Sequence, residues 1–189
     1  MRIIAGQFKG RGLRAPDSQG TRPTADRVRE ALFSHIESQL GGLEGLRVLD
    51  AFAGTGALGL EALSRGAAHA VFIESDRGAA AALYANIAHC EAEERATVRM
   101  GNAFALATRL SQWGPFDLLL LDPPYRTPAD EVLRLVEALR QTQAVSASAY
   151  VVYEHQRRNA VVWPACYDGV HQARYGKTFL DCAFVPEGS

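Results

Sequence analysis

The sequence predicts an α/β fold built as a doubly wound, mostly parallel sheet. Short apolar runs such as Leu118–Leu121 alternate along the chain with segments whose apolar residues recur at helical spacing. The apolar runs are continuous rather than alternating, which is typical of parallel strands covered by helices on both faces. A length of 189 residues is enough for one well-buried domain.

The elements begin with a helix in which Thr24 serves as N-cap, Asp26 lies in the first turn and Gly41-Gly42 ends the helix. After it, strands are expected at Leu46–Ala51, Ala70–Glu74, Thr97–Met100, Leu118–Leu121 and Ala149–Glu154. Helices are expected between and after them at Ala57–Arg65, Arg77–His89, Ala103–Leu110 and Ala129–Gln141. Two further strands, Gly169–Ala173 and Thr178–Val185, predict a hairpin that closes the C-terminus.

The formal net charge of −1 conceals an asymmetry, because residues 1–30 hold seven basic and three acidic side chains, a net charge of +4. We expect residues 1–24 to form a basic arm or hairpin that contacts a polyanion such as RNA, and residues 25–189 to form the main domain. A solvated terminal face is the alternative, and Arg27 or Arg29 could instead pair with Glu30 or a carboxylate of the body. Phosphate contacts are expected from Arg2, Lys9, Arg11, Arg22, Arg27 and Arg29.

Several classes of protein are disfavoured by composition. No apolar run approaches the roughly 20 residues of a membrane span, and the apolar stretch at the start is too short for a signal peptide. Cys90, Cys166 and Cys182 are odd in number and widely spaced. We therefore expect a cytoplasmic protein with reduced cysteines and no metal site.

A glycine-rich loop follows the first predicted strand. Gly54, Gly56 and Gly59 fall in the pattern G-x-G-x-x-G, which fits a dinucleotide, an adenosyl cofactor or a tight turn without a ligand. Glu74 ends the next strand, where an acid can accept hydrogen bonds from ribose hydroxyls of either NAD or S-adenosylmethionine. Asp50 discriminates between them, because a carboxylate there repels a pyrophosphate and suits an ammonium and a sulfonium. The sequence therefore favours S-adenosylmethionine.

Four polar residues, Asp50, Glu74, Asn102 and Asp122, follow or end predicted parallel strands. Ligands of open α/β sheets bind outside the carboxyl ends of the strands, so these residues are expected to share one site. The side-chain amide at Asn102-Ala103 could meet an adenine edge or cap the next helix, and both interpretations stay open.

The tetrapeptide Asp122-Pro123-Pro124-Tyr125 follows the most apolar strand. Pro123 and Pro124 carry no N–H, and each residue before a proline is held extended, so the turn offers carbonyl acceptors without competing donors. Asp122 adds an acceptor and Tyr125 a π face. This set suits the planar exocyclic amine of a nucleobase, although an aspartate before prolines is also typical of a simple turn.

The D-x-F-x-G-x-G loop and the D-P-P-Y tetrapeptide, in that order, resemble the class I S-adenosylmethionine-dependent amino-methyltransferases. Further segments look like the bacterial 16S ribosomal RNA guanine-N2 methyltransferase family, the RsmD type. They are Arg2–Gly6, Lys9-Gly10-Arg11, Arg22–Phe33, Leu58–Gly66 and Tyr175–Thr178.

The resemblance implies a Rossmann-like, seven-stranded methyltransferase domain that methylates a guanine N2 in small-subunit rRNA as a monomer in the bacterial cytoplasm. It implies a base site formed by Asp122, Pro123, Pro124 and Tyr125. The cofactor site would be lined by Asp50, Phe52, Ala53, Gly54, Gly56, Glu74, Asn102 and Ala103. The alternatives are an amino-methyltransferase of another base or RNA, an NAD-dependent oxidoreductase, and an RNA-binding assembly factor with a vestigial cofactor site.

Overall fold

The structure is a computed structural model that describes residues 1–14, 23–156 and 159–186, without the side chains of residues 23–25. Arg22 therefore lies outside the described residues, as do the side chain of Thr24 and residues 15–22 of the expected arm.

Helices and strands alternate along the chain as expected. The helices are α1 (Pro23–Leu40), α2 (Ala57–Ser64), α3 (Arg77–His89), α4 (Ala103–Leu106) and α5 (Ala129–Gln141). The strands are β1 (Arg47–Asp50), β2 (His69–Glu74), β3 (Ala96–Met100), β4 (Phe116–Leu121), β5 (Val145–His155), β6 (Asp168–Tyr175) and β7 (Thr178–Phe184). Short 3₁₀ turns lie at Glu93–Arg95 and Ala107–Gln112.

The strands described here form one seven-stranded sheet in the order β3-β2-β1-β4-β5-β7-β6. Strands β1 to β5 run parallel, whereas β7 lies antiparallel between β5 and β6. The predicted doubly wound, mostly parallel α/β fold and its C-terminal hairpin are therefore confirmed. The order of the strands reverses between β1 and β4, so a crevice is expected beside the carboxyl ends of these two strands.

Three elements differ most clearly from the sequence prediction. Helix α1 begins at Pro23, so Thr24 lies inside its first turn and the prediction of Thr24 as the N-cap was wrong. Strand β5 begins at Val145, ahead of the expected Ala149, and its pairing with β4 shifts in register between Phe116 and Leu118. The helix expected at Ala103–Leu110 ends at Leu106 and continues as a 3₁₀ turn. Apolar periodicity predicted that a helix covers this part of the sheet, but it does not distinguish an α-helix from a 3₁₀ turn.

Both faces of the sheet are covered by apolar side chains. On one face, α1, α2, α3 and the N-terminal segment pack on residues such as Val48, Leu118 and Leu120. On the other face, α4, the 3₁₀ turn at Ala107–Gln112 and α5 pack on residues such as Leu49 and Leu119. The alternation of neighbouring residues between the two faces follows from strand geometry.

The N-terminal segment, residues 1–14, is packed on the domain rather than projecting from it. Ile3, Phe8 and Leu13 are buried in the core. The backbone N–H groups of Ile4 and Ala5 donate to the Glu61 carboxylate on α2 at 2.8 and 3.0 Å, and the Phe8 N–H donates to the Ser64 hydroxyl at 2.8 Å. Contact of this segment with RNA stays a prediction.

No helix in the described ranges is both long and apolar enough to cross a membrane.

Candidate active site

Asp50 ends β1 with its side chain buried, at 1% exposure. Its Oδ2 accepts the N–H of Gly59 in α2 at 2.9 Å, which fixes the helix against the strand. Its Oδ1 is buried and no donor among the described residues meets it in good hydrogen-bond geometry, although the backbone N–H of Phe52 also acts on this carboxyl and lowers its pKa. Because a buried carboxylate oxygen is costly without a donor, this atom fits the ammonium group of an adenosyl cofactor.

Burial raises the pKa of Asp50 from 3.8 to about 7, even though the hydrogen bond from Gly59 opposes the rise, and the charge of Glu74 raises it further. The protonated form of this carboxyl is therefore retained to a higher pH than in an exposed aspartate. A bound cation would favour the charged form and so gain affinity from it.

Glu74 ends β2 and braces the glycine loop. Its Oε2 accepts the Gly54 N–H at 2.7 Å, and its Oε1 accepts the Asp76 N–H at 2.6 Å. Each carboxylate oxygen keeps acceptor capacity after these bonds, and the side chain is only half-buried. The predicted role of Glu74 toward ribose hydroxyls stays a prediction, and the structure adds a role in holding the loop.

The glycines of the loop serve two purposes. Gly54 adopts φ +54°, and a Cβ added there would meet nothing within 4 Å, so its backbone faces open space beside Asp50 and Glu74. Gly59 is needed for packing, because a Cβ there would lie 2.2 Å from the Phe72 ring on β2. The third glycine of the motif thus brings helix and strand together and does not face a ligand.

Asn102 caps α4: its Oδ1 accepts the N–H of Phe104 at 2.9 Å and that of Ala105 at 3.4 Å. Of the two interpretations of this residue, the N-cap is confirmed. Phe52 and Phe104, which are both half-buried, lie with ring centroids 5.7 Å apart in a tilted arrangement. Phe104 was not singled out from the sequence. Contact of Asn102, Ala103 and Phe52 with a cofactor stays a prediction.

The Asp122–Tyr125 turn is held by one backbone hydrogen bond and by one hydrogen bond from a side chain of a distant segment. The Pro124 carbonyl accepts the Thr127 N–H at 2.8 Å, and the Tyr125 carbonyl accepts the Asn159 side-chain amide at 2.6 Å. Pro123 is buried, whereas Tyr125 keeps 54% of its surface exposed. An exposed ring on a held backbone is a suitable platform for a base.

Four acidic residues share one face of the sheet at the carboxyl ends of its strands. Asp50 pairs with Phe72 on β2 and with Leu120 on β4, and Leu120 pairs with Val152 on β5. Residues two positions along an extended chain point to the same face. Glu74, Asp122 and Glu154 therefore lie on the face of Asp50 and at the same edge.

The pKa of Asp122 is raised well above its ordinary value by burial, then by the charges of Glu154 and Asp50. Burial also raises the pKa of Glu154, against the opposing charges of Arg29 and His155. Glu154 was missed in the sequence analysis. The signal that could have found it is its place as the first charged residue after the apolar run of β5, beside Asp122.

The predicted basic residues differ in their exposure and in the ion pairs that they form. Lys9 and Arg27 are exposed, and Arg2 is exposed while lying 3.5 Å from Asp26. Arg11 pairs with Glu91 at 3.2 Å and donates to the His89 carbonyl at 2.7 Å.

Arg29 is only 5% exposed, donates to the Arg2 carbonyl and to Asp26, and lies 3.8 Å from Glu61. The ion-pair alternative therefore holds for Arg29, which supports the fold and is not available to a phosphate.

Replacing Asp50 with asparagine is expected to remove a pH dependence of stability. Between roughly pH 4 and pH 7 the unfolded chain releases the Asp50 proton while the folded protein retains it, so wild-type stability falls as pH rises. Asparagine does not titrate and can still accept from Gly59. Relative to Asp50→Asn, the wild-type free energy of unfolding should decline by up to about 4 kcal/mol over this range and stay level above it.

Urea unfolding at a series of pH values measures this difference, with the exposed Asp130→Asn as control. A difference between wild type and Asp50→Asn that is constant from pH 4 to pH 8 would contradict the burial of an ionisable Asp50. The same variant should lose affinity for the adenosyl cofactor, because a neutral amide cannot match an ammonium.

Comparison with known proteins agrees with this architecture. The family model described as "Conserved hypothetical protein 95" matches residues 1–183. Ribosomal RNA small subunit methyltransferase D of Escherichia coli is 43% identical over 138 residues, covering 72% of this chain and 67% of that protein. The protein of the same name from Haemophilus influenzae is 33% identical over 166 residues, covering 87% and 83%.

Among solved structures, the Escherichia coli protein yhhF superposes with a TM-score of 0.81 at 36% identity, covering 100% of this chain and 99% of that one. The rRNA methyltransferase aviRa of Streptomyces viridochromogenes, at 17% identity and a TM-score of 0.66, shares the fold, with 91% of this chain and 88% of that chain covered. The glycine loop, the D-P-P-Y turn, the strand order and these matches agree, and the chain belongs to the conserved hypothetical protein 95 family, the RsmD type of methyltransferase.

Proposed function

We propose that this protein transfers a methyl group from S-adenosylmethionine to the exocyclic N2 amine of a guanine in small-subunit ribosomal RNA. The observation that carries the proposal is the placement of Asp122 beside Asp50, on one face and at one edge of the sheet. One carboxyl suits a cationic cofactor and the other suits an amine, so a donor and an acceptor of a methyl group would lie side by side.

The residues of the glycine loop support the choice of cofactor. The buried Oδ1 of Asp50 would accept the ammonium, and Glu74 would accept from the ribose hydroxyls. Gly54 leaves room for close approach of the ligand to the backbone. Asn102, Ala103 and the Phe52–Phe104 pair would meet the adenine. When bound, S-adenosylmethionine supplies an electrophilic methyl group on a sulfonium.

The guanine amine needs help because its lone pair is delocalised into the ring. Asp122 and the Pro123 carbonyl would accept hydrogen bonds from the two N–H groups of this amine. These hydrogen bonds would localise electron density on N2 and aim its lone pair at the methyl carbon. The N–C bond forms as the C–S bond breaks, the electron pair of that bond stays on sulfur as a neutral thioether, and N2 afterwards releases one proton. Asp122, whose pKa is raised by burial, is placed to hold that proton.

Tyr125 supports a base held outside its RNA helix. Its ring is more than half exposed, and its backbone is fixed by Asn159. Stacking on such a ring is how single-stranded or extruded bases are commonly bound. We place the reaction in the bacterial cytoplasm, with the protein acting as a monomer.

Exposed basic residues are proposed to hold the RNA backbone. Replacing Lys9 and Arg27 together with glutamine should lower the slope of log affinity against log salt by about 1.4, since each phosphate contact in a single strand contributes roughly 0.7. Filter binding of small-subunit rRNA across a salt series measures the slope. The exposed Arg134→Gln on α5 is the control, and a slope unchanged in the double variant would contradict this RNA surface.

Mass spectrometry of nuclease-digested small-subunit rRNA tests the reaction itself. The rRNA of cells that lack the gene should be missing one N2-methylguanosine, and the purified protein with S-adenosylmethionine should restore it. The proposal would be contradicted if the purified protein methylated adenine or cytosine instead, or if it methylated no nucleotide of the rRNA.

A further inference from the structure

Glu154 is the closest acidic neighbour that the strand register gives to Asp122. The pairing of β4 with β5 runs to Leu121 and Tyr153, so Asp122 and Glu154 are the next residues of each strand. Both lie on the face opposite to Tyr153, and neighbouring strands are about 4.8 Å apart. β7 continues the sheet on the far side, where Leu180 pairs with Glu154. The side chain of Glu154 is half-buried. Its register with Asp122 places it beside the proposed base site.

A second carboxylate at this place has a chemical consequence for the base. In guanine, the N2 amine stands beside N1–H, which is a second donor. In adenine and cytosine, the exocyclic amine stands beside a ring nitrogen that is an acceptor. A carboxylate accepts from a donor and repels a lone pair. Two adjacent carboxyl groups therefore match the guanine edge and oppose the other two.

The surroundings of Glu154 favour its ionised form over that of Asp122. Arg29 is buried on α1, and its charge lowers the pKa of Glu154 against the effect of burial, as does the charge of His155. For Asp122, both charged neighbours, Glu154 and Asp50, raise the pKa further. Arg29 and His155 thus favour a negative charge on Glu154, and a cation bound beside Asp50 would favour a negative charge on Asp122 as well.

We propose that Glu154 is a specificity-determining residue that accepts the N1–H of the target guanine, while Asp122 and the Pro123 carbonyl hold the N2 amine. This inference rests on the proposed function and deepens it, because it names the feature by which guanine is chosen over other bases with an exocyclic amine.

The experiment compares guanine with 2-aminopurine, which keeps the N2 amine but has an acceptor at N1. The two bases are placed at the methylated nucleotide in small-subunit rRNA ligated from two fragments. Wild type should methylate the guanine RNA faster by roughly tenfold to a hundredfold, the range of a hydrogen bond to a charged group. In Glu154→Gln this preference should fall at least tenfold, because the amide can donate to N1 of 2-aminopurine.

Glu94→Gln, an exposed glutamate before β3, is the matched control and should keep the wild-type preference. Thermal melting and S-adenosylmethionine affinity of Glu154→Gln, both expected to be close to wild type, report its folding. Glu154→Asp keeps the charge and should keep the preference for guanine at a lower rate.

The two possible failures are distinct. If wild type does not methylate the guanine RNA, the proposed function falls and this inference falls with it. If wild type methylates guanine, and Glu154→Gln retains the same ratio of guanine to 2-aminopurine rates, only the role of Glu154 is overturned. Loss of the guanine preference in Glu154→Asp would also overturn it.

Discussion

Replacing Asp122 with asparagine is expected to lower the rate of methyl transfer by roughly 10²- to 10³-fold, the usual cost of removing one preorganised electrostatic contact at the reacting atom. The asparagine amide can still accept one N–H through its Oδ1, but it carries no negative charge to stabilise the positive charge that develops on N2 and it cannot take up the proton that N2 releases. Single-turnover transfer of a labelled methyl group to small-subunit rRNA measures this rate without the contribution of product release.

The affinity of the Asp122→Asn variant for S-adenosylmethionine, measured by calorimetry, should stay within a few-fold of wild type. Asp50, Glu74 and the glycine loop, which are proposed to hold the cofactor, are held by the Gly59 and Gly54 N–H groups and not by Asp122. Asp130→Asn, in the exposed first turn of α5, should behave as wild type in both assays. A variant that transfers methyl groups at the wild-type rate would refute the role of Asp122.

Replacing Glu61 with glutamine is expected to destabilise the protein by about 3–5 kcal/mol, the range found when one partner of a buried ion pair is removed. Glu61 is fully buried and accepts from the Ile4 and Ala5 N–H groups and from Arg65 Nε at 2.8 Å, with Arg29 at 3.8 Å. Glutamine turns one of these acceptor oxygens into a donor, so at least one N–H is left facing another N–H.

Urea unfolding of Glu61→Gln measures the loss, and Glu37→Gln is the matched control. Glu37 pairs with the same Arg65 at 3.0 Å, but its side chain is 38% exposed, so its removal should cost less than about 1 kcal/mol. Equal effects of the two variants would contradict the account of the N-terminal segment as a packed part of the domain.

Glu61 also connects the N-terminal segment to the candidate site. Arg29 contacts Glu61, Asp26 and the Arg2 carbonyl, and its charge acts on Glu154 at the edge of the base site. A change at Glu61 is therefore expected to disturb the charge of the site as well as stability.

Features that depend on local sequence were predicted well. The glycine loop and the D-P-P-Y turn are short motifs whose conformation is restricted by glycine and proline, and their flanking strand and helix were recognisable from apolar patterning. The placement of Asp50, Glu74 and Asp122 at one edge followed from the rule for parallel sheets. The Gly169–Ala173 and Thr178–Val185 strands were recognised as a hairpin, although β6 is mostly exposed.

Features that depend on contacts between distant segments were not predictable. Glu61 lies in an apolar helical pattern, and only the folded structure brings the Ile4 and Ala5 N–H groups to it. For Arg29 the sequence left a phosphate contact and an ion pair both open, and the contact with Glu61 of α2 that helps to decide between them depends on the fold. Glu154 became a candidate only through its register with Asp122, which needs the strand order of the sheet.

The direct test of the central claim is a crystal structure of the protein with S-adenosylmethionine bound. We predict that the ammonium contacts Asp50 Oδ1 and that the methyl group points into the corner formed by Asp122, Pro123 and Tyr125. A methyl group directed away from that corner, or a cofactor bound elsewhere on the sheet, would contradict the account.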